Sequence, residues 1–496
     1  MVYNFNLGIG WASSGVEYAQ SYRAAMLRNI GADAKFIFTD MIPTENIQHL
    51  TNNIGFLDSE VIWLYTFFTD FKIAPVTYTL EDVKNTLPTE DFSYSRSGNV
   101  GRIIFSGDNN FYTLYFVDDK SDRVHRIEIV SNGYLIRKDY FTYGRIYSEY
   151  YAPLDNNAHM YLRRFFNEDG TVAYEEVNDD DQVMYQFKDQ LLCSKQELVA
   201  LMVRKLNLTK DDVVLIDRTT DIGQAIIRNA GDAKVGIIIH ADHFSEGSTD
   251  EDNILWNNYY EYPFAMHKHI DFYVAATDEQ SKLLREQFIK YKGVEPTVYT
   301  IPVGSLDELK YPMINRNPYS IITASRLATE KHIDWMIEAV VEAHKTIPQL
   351  KLDIYGKGGE EEKLRNLIKE HNAENYIILR GQQNLKEVYQ DYELYLSGSM
   401  SEGFGLTLME AVGAGLPIIG FDVRYGNPTF IDDGKNGYLI PVDKRMTDKK
   451  KIEELTDRLI RLFTEADLDS FHEHSYKIAE NYLTEEVEKR WKKVVQ

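Results

Sequence analysis

The sequence predicts an α/β protein of two parallel-sheet lobes, with an antiparallel β-meander domain inserted in the first. Three observations predict this. A strand–helix–strand rhythm opens the chain, breaks off near residue 76 and resumes near Lys195. Between those points the helical period gives way to short β-rich runs separated by turn clusters. A second α/β series starts near residue 319, after a linker-like stretch over 305–318. Alternating strands and helices imply a parallel sheet, whereas two-residue alternation between turn signals implies antiparallel strands.

In chain order, residues 2–7 read as a strand and residues 8–15 as a Gly/Ser-rich turn. Residues 16–29 carry a helix pattern, and 34–39 and 61–68 read as buried strands. In the insertion, Ile127 and Ile129 alternate with Arg126 and Glu128, as a half-buried strand requires. Turns are marked at 106–109, 118–121, 132–133 and 167–170. Strands follow at 213–216, 235–239, 272–275 and 298–301, and Ile301-Pro302-Val303-Gly304 reads as the exit from the first lobe. The second lobe has strands at 319–324, 351–355, 376–379, 393–396 and 417–420. Thr484 is placed to cap a last helix whose Val487, Trp491 and Val494 share one face. The expected domains are 1–75 with 191–310 (the first lobe), 76–190 (the inserted β domain), 311–480 (the second lobe) and 481–496 (a terminal helix returning to the first lobe).

Composition narrows the function. A chain of 496 residues exceeds what one core supports, and 44% hydrophobic with 26% charged residues is globular composition. The net charge of −23 argues against nucleic acid as a partner, so an anionic ligand needs a local cationic cluster. Cys193 is the single cysteine, which excludes an internal disulfide and fits a reducing compartment. The N-terminus has neither a charged leader nor a long apolar core, and no apolar run approaches 18 residues. A cytoplasmic location is therefore expected, with peripheral attachment to the inner membrane face left open.

The strongest chemical signal is Ser401-Glu402-Gly403-Phe404-Gly405-Leu406-Thr407-Leu408-Met409-Glu410. Glu402 falls in a glycine turn, and Glu410 falls about one turn into the helix that follows. The first amides of that helix, near Gly405 and Leu406, suit a phosphate through the helix dipole and their unfilled donors. Glu410 is then placed for ribose hydroxyls and Glu402 for sugar hydroxyls. The alternative is a plain loop–helix junction with two solvated glutamates. A second cluster, Ser325-Arg326-Leu327-Ala328-Thr329-Glu330-Lys331, follows the apolar strand end Ile321 to Ala324, where open α/β sheets bind ligands. Arg326 and Lys331 could neutralise a departing diphosphate without a metal, each charge-assisted bond contributing about 1.5–3 kcal/mol. Standing alone, they are equally readable as a solvated basic pair.

Together, Glu402-Gly403-Phe404-Gly405 with Glu410, and Arg326 with Lys331, resemble the retaining family 4 glycosyltransferases of GT-B fold. Tyr355 to Glu360, Ile301 to Gly304 and Val423 to Pro428 support the resemblance. The opening GIGWASSGVEYAQSYRAAML, the β insertion and HADHFSEG resemble the catalytic-subunit family of bacterial O-GlcNAc transferases that act on serine-rich repeat adhesins. That resemblance implies two Rossmann-like lobes facing a cleft, UDP-N-acetylglucosamine as donor, Ser or Thr hydroxyls as acceptor, retention of configuration and no metal cofactor. It also implies a homologous non-catalytic partner subunit. Carried over by position, His240, Arg326, Lys331 and Glu402 are the catalytic candidates. Gly15, Val16, Glu17 and Tyr18 would touch the UDP from the first lobe, and Gln382, Gln383 and Asn384 would lie near the uracil. Gly403, Phe404, Gly405, Leu406, Thr407 and Glu410 complete the donor site.

Other readings stay open at this level. Gly8-x-Gly10 with Gly15 lacks the G-x-G-x-x-G spacing, which argues against a nicotinamide enzyme. His240 and His243 with Asp242 could suggest zinc, but no further ligand cluster joins them. His243 also fits a structural role, Gly15 a simple tight turn and Gln382 to Asn384 an ordinary polar loop. Tyr425-Gly426 also resembles transferases that use a cell-wall polyol phosphate as acceptor, which is the second reading. A non-catalytic acceptor-binding subunit is the third alternative.

Overall fold

The computed structural model describes residues 1–10, 15–106, 109–155, 157–179, 182–443 and 445–496. The chain divides into two compact units: Met1–Ile238 with Trp256–Asp271, and Ile239–Leu255 with Phe272–Gln496.

The first unit opens with β1 (Val2–Asn6), the helix Gly15–Asn29, β2 (Ala34–Phe38) and β3 (Val61–Trp63). Ten antiparallel strands follow: β4 (Phe92–Ser97), β5 (Val100–Phe105), β6 (Phe111–Phe116), β7 (Val124–Ser131), β8 (Tyr134–Phe141), β9 (Arg145–Leu154), β10 (Asn157–Phe166), β11 (Val172–Asp179), β12 (Gln182–Gln186) and β13 (Leu191–Leu192). Each pairs with the next, so the insertion is a single meander. Then β14 (Val213–Ile216) and β15 (Lys234–Ile239) return to the parallel sheet, in the order β15-β14-β1-β2-β3. The hairpin between β7 and β8 turns on Asn132 and Gly133, both at positive φ, as a two-residue turn of matching twist requires. The meander carries a stacked aromatic ladder. Tyr140 lies on Tyr147 at 4.2 Å, Phe165 on Tyr174 at 4.4 Å and Tyr174 on Phe187 at 4.8 Å.

The second unit carries β16 (Phe272–Ala275) and β17 (Val298–Thr300), a parallel pair. It also carries a six-stranded parallel sheet of β18 (Ser320–Ala324), β19 (Lys351–Tyr355), β20 (Ile377–Gly381), β21 (Leu394–Leu396), β22 (Ile418–Phe421) and β23 (Gly437–Ile440), ordered β20-β19-β18-β21-β22-β23. The strand order reverses between β18 and β21, the kind of place where open α/β sheets hold ligands. The strands of the segment 191–310 thus divide between the units, with β14 and β15 in the first and β16 and β17 in the second.

Several expectations need correction. The strand expected at 61–68 stops at Trp63. The amides of Thr66 and Phe67 turn back to the Trp63 carbonyl, and Tyr65 and Phe68 leave the sheet to pack on Phe165 and Tyr174 of the meander. A buried apolar run does not by itself distinguish strand from turn. Among the described residues the insertion contains one short helix, Leu80–Asn85, fixed by a reciprocal cap between Thr79 and Asp82. The strand Gly437–Ile440 was not expected; it is short, and it starts on a glycine at φ 149° whose Cβ would overlap the Ile418 carbonyl. Thr484 does not cap the last helix, because Leu483 holds that position and the Thr484 hydroxyl instead donates to the Leu306 carbonyl at 3.2 Å. Val487, Trp491 and Val494 are buried as expected, and Arg490 donates to the carbonyl of Thr300 at 3.4 Å. Among the described residues, no helix is long and apolar enough to cross a membrane.

Candidate active site

The loop after β18 carries the first cations. Its path is set by neighbouring backbone: Ser325 N–H donates to Tyr355 O at 3.1 Å and Leu327 N–H to Lys357 O at 3.0 Å. Leu327 is buried and anchors the turn. Gly356, at φ 137°, and Gly358 press on this loop so closely that a Cβ would overlap the Ser325 and Leu327 carbonyl oxygens respectively. A 3-10 turn, Thr329–Lys331, then leads to His332, which sits in the left-handed region at φ 44°. The His332 ring stacks on Trp335 at 3.5 Å, with Lys451 on that indole at 4.3 Å.

From this loop Lys331 Nζ reaches Glu402 Oε2 at 2.6 Å, with the two side chains only 15% and 20% exposed. Arg326 is turned differently. Its guanidinium is 78% exposed and contacts Glu330 at 3.0 Å. Among the described residues of the second unit this surface pair is its one side-chain contact, so it is available to an arriving anion.

Glu402 opens the turn that starts the helix Leu406–Gly413. Gly405 is at φ 88°, where a Cβ would stand 2.7 Å from Leu408 and 3.2 Å from Glu402 Cγ. The amides of Leu408 and Met409 both reach Gly405 O at 3.0 Å, and those of Leu406 and Thr407 have no acceptor within the helix. The Thr407 hydroxyl is 2.9 Å from Tyr395 OH, which donates to Ala324 O at 2.9 Å and so ties this helix to the end of β18. Glu410 accepts from Tyr389 OH at 2.9 Å, and burial pushes its carboxyl above the usual range despite that bond. Phe404 is 5% exposed, its ring against Phe430 at 5.2 Å. Its side chain belongs to the core, and only its backbone faces the turn. The carbonyl of His240, the residue after β15, lies 3.4 Å from where a Cβ on Gly403 would stand.

The loop after β20 carries Gln382, Gln383 and Asn384, all exposed. Gln383 donates to the Arg380 carbonyl at 2.9 Å, and Asn384 accepts from Lys386 N–H at 3.0 Å, an Asx turn. In the first unit, Gly15 begins the helix Gly15–Asn29. Residues 11–14 of the expected Gly/Ser turn lie outside the described residues. Tyr18 is 46% exposed and Val16 half-buried, but Glu17 is buried. Glu17 accepts from Asn6 Nδ2 at 3.2 Å and faces Arg218 at 3.6 Å. Beside it a buried chain runs from Asn6 to Gln20, Asp217 and Arg23. Among the described residues no group of three or more His, Cys, Asp or Glu is placed to hold a metal.

The structure therefore joins Lys331 to Glu402, and Glu402 to the amide end of a helix, within one unit. Sequence reasoning missed Tyr389 and Tyr395, because single tyrosines on short strands or turns carry no pattern. It also missed the contact of Tyr425 and Gly426 with Glu402, although the segment containing them stood out as a motif.

One buried and one half-buried histidine set an acid limit on this unit. His243 donates from Nε2 to Gln287 at 2.8 Å, and burial, aided by Arg424, lowers its pKa to about 4. His472 donates from Nδ1 to Gly415 O at 2.7 Å and is also lowered to about 4, by burial and by Arg316. Both stay neutral in the fold while the unfolded chain takes up protons below about pH 6.5. Stability is thus complete at neutral pH and falls as the pH drops from about 6.5 towards 4, by about 2 kcal/mol per histidine at pH 5. Urea titrations at pH 7 and pH 5 should show this loss, and His472→Asn should remove about half of it. An unchanged pH 5 loss in that variant would show that His472 titrates normally.

Two Rossmann-like parallel sheets, a β insertion and a cation–carboxylate pair at the amide end of a helix define a glycosyltransferase of the GT-B class. Residues 308–467 match the glycosyl transferases group 1 profile, and residues 93–189 match the GtfA extended beta-sheet domain. The chain is 54% identical over 491 residues to the UDP-N-acetylglucosamine--peptide N-acetylglucosaminyltransferase GtfA subunit of Streptococcus gordonii, covering 99% of this chain and 97% of that one. It is similar to the crystal structure of the pneumococcal O-GlcNAc transferase GtfA in complex with UDP and GlcNAc, at TM-score 0.91 and 51% identity over 100% of this chain and 98% of that one. A crystal structure of a GtfA/B complex matches at TM-score 0.97 and 53% identity, over 100% of this chain and 99% of that chain. The chain belongs to the GtfA family of peptide N-acetylglucosaminyltransferase subunits.

Proposed function

We propose that this chain transfers N-acetylglucosamine from UDP-N-acetylglucosamine to Ser or Thr hydroxyls of a serine-rich adhesin polypeptide, with retention, as the first step of its O-glycosylation. It acts as the catalytic subunit beside a homologous non-catalytic one. The observation that carries the reading is the Lys331–Glu402 pair at the start of the helix Leu406–Gly413. As the bond between sugar and diphosphate breaks, negative charge grows on the leaving phosphate. Lys331, Arg326 and the amides of Leu406 and Thr407 stabilise that charge without a metal. Glu402 holds hydroxyls of the transferred sugar and keeps the Lys331 ammonium in register. His240, whose carbonyl borders Gly403, faces the same sugar. Glu410, fixed by Tyr389, accepts from the ribose, and Gln382, Gln383 and Asn384 border the uracil. Gly15, Val16 and Tyr18 meet the UDP from the first unit. Glu17 acts from inside through Asn6 and Arg218. The acceptor hydroxyl enters on the face the phosphate leaves, and its proton passes to a phosphate oxygen. The meander holds the acceptor or the partner subunit. The enzyme works in the cytoplasm, with peripheral attachment to the inner membrane face.

The test is incubation of the chain with labelled UDP-N-acetylglucosamine and a Ser/Thr-rich peptide, with and without the partner subunit. Label should enter the peptide, more so with the partner, and EDTA should change the rate less than twofold. Preferential labelling of a polyol-phosphate polymer would overturn the acceptor. Absence of both UDP binding and donor hydrolysis would make this the non-catalytic subunit.

A further inference from the structure

Lys331 is not the only residue holding Glu402. The segment Arg424 to Gly426 brackets its backbone: the amides of Tyr425 and Gly426 donate to Glu402 O at 2.6 and 2.8 Å, and Glu402 N–H donates to Arg424 O at 3.3 Å. The bracket is itself fastened. Asn427, wholly buried, donates to Phe421 O at 2.8 Å, and the Thr429 hydroxyl donates to Tyr425 O at 2.7 Å. The Tyr425 ring is also wholly buried and lies near-parallel to the His243 ring at 6.3 Å. Gly426 stands so close to the turn that a Cβ would overlap Phe404 O and come within 2.7 Å of Glu402 Cγ. Its three nearest non-neighbouring atoms all belong to Glu402 and Phe404. Gly426 is not at positive φ, so backbone conformation does not require a glycine there. Space for the Phe404 carbonyl and the Glu402 side chain does.

We propose that Tyr425 and Gly426 are positioning residues that set the Glu402 carboxylate on Lys331, the ring of Tyr425 pinning the bracket and Gly426 vacating the space that the Phe404 carbonyl and the Glu402 side chain fill. A glutamate has three side-chain torsions, and free in a turn it samples many rotamers. Transfer chemistry needs its groups held to about half an ångström. The bracket supplies that constraint from 23 to 24 residues downstream, through the backbone rather than through a side-chain bond. This inference rests on the reading of Lys331 and Glu402 as the donor-handling pair.

The experiment compares Gly426→Ala, Glu402→Ala and the double variant in the full chain with its partner subunit, measuring kcat, KM for UDP-N-acetylglucosamine and Tm. Gly426→Ala should lower kcat at least 20-fold and also lower Tm by several degrees, because the added Cβ meets the Phe404 carbonyl as well as Glu402. Added to Glu402→Ala, it should lower the residual rate several-fold less than it lowers the parent's, because only the clash with the Phe404 carbonyl then remains. Equal losses in both backgrounds would overturn the inference and assign Gly426 to general packing. Should Gly426→Ala not fold, Tyr425→Leu enters the same comparison, with Tyr425→Phe expected to restore most of the rate because it keeps the pinning ring. Near-parental kcat in Glu402→Ala would instead remove the underlying reading. Collapse of Glu402→Ala with parental kcat in Gly426→Ala would remove only this one.

Discussion

Glu402→Ala and Lys331→Ala should each lower the transfer rate by about two to three orders of magnitude while the chain stays folded. The expected size follows from what one preorganised group contributes when charge develops in a water-poor site, about 3–4 kcal/mol of barrier. Both side chains are largely covered, at 15% and 20% exposure, and 2.6 Å apart, so each fixes the other before the donor arrives. Removing one leaves the other half-buried and unmatched, which costs about 1–3 kcal/mol of stability, not enough to unfold a large α/β unit. Glu402→Gln separates two roles. It keeps the shape and can still bond sugar hydroxyls, but it no longer holds the ammonium by charge, so its rate should fall between parent and alanine. Arg326→Ala offers the cleanest contrast. Among the described residues its partner is Glu330, in an exposed pair, so the stability change should stay within about 0.5 kcal/mol. Transfer should nevertheless fall at least tenfold, through weaker hold on the diphosphate. Initial rates with labelled donor, beside thermal unfolding, check all four variants. Near-parental turnover in both Arg326→Ala and Glu402→Ala would refute the electrostatic account.

Gly356→Ala should be among the most damaging single methyls in the second unit. Its φ of 137° is open to glycine and costly for any residue with a Cβ, and that Cβ would overlap the carbonyl oxygen of Ser325. The clash is with backbone, which cannot rotate away, so β18 and the loop bearing Arg326 must shift. We expect a loss of about 3 kcal/mol or more, which is about 6–12 °C in Tm for a unit of this size. Activity should fall further than stability explains, because Ser325 leads directly into Arg326. Gly359, three residues on, is the control: nothing lies within 4 Å of a Cβ there and its φ is not positive, so Gly359→Ala should be neutral within about 0.5 kcal/mol. Calorimetry on the two variants decides it, and matching Tm values would sink the argument.

Much of this molecule is legible in local pattern. The two-residue alternation around Ile127 and Ile129 and the Asn132-Gly133 turn announce the meander, because sheet register and hairpin turns follow from residues close in sequence. The apolar stretches of β18, β19 and β22 announce the parallel sheet for the same reason. The misreadings arose where a residue's role depends on distant neighbours. Tyr65 looks like strand, yet its ring is claimed by Phe165. Thr484 looks like a cap, yet its hydroxyl is claimed by Leu306. Phe404 sits in a ligand motif, yet its ring is needed in the core.

The order of amino acids alone determined the class of fold and the inserted meander, which are written in short-range periodicity. It also named Arg326, Lys331, Glu402 and Glu410 through motifs of a few residues; the other donor-site candidates came through resemblance to a family. Only the tertiary structure decided that Lys331 meets Glu402 across 71 positions, that Glu17 lies inside and that Tyr425 and Gly426 bracket the carboxylate. Such pairings are set by the paths of loops packed backbone to backbone. Those paths are fixed by close approaches like those of Gly356 and Gly426, which no local pattern encodes.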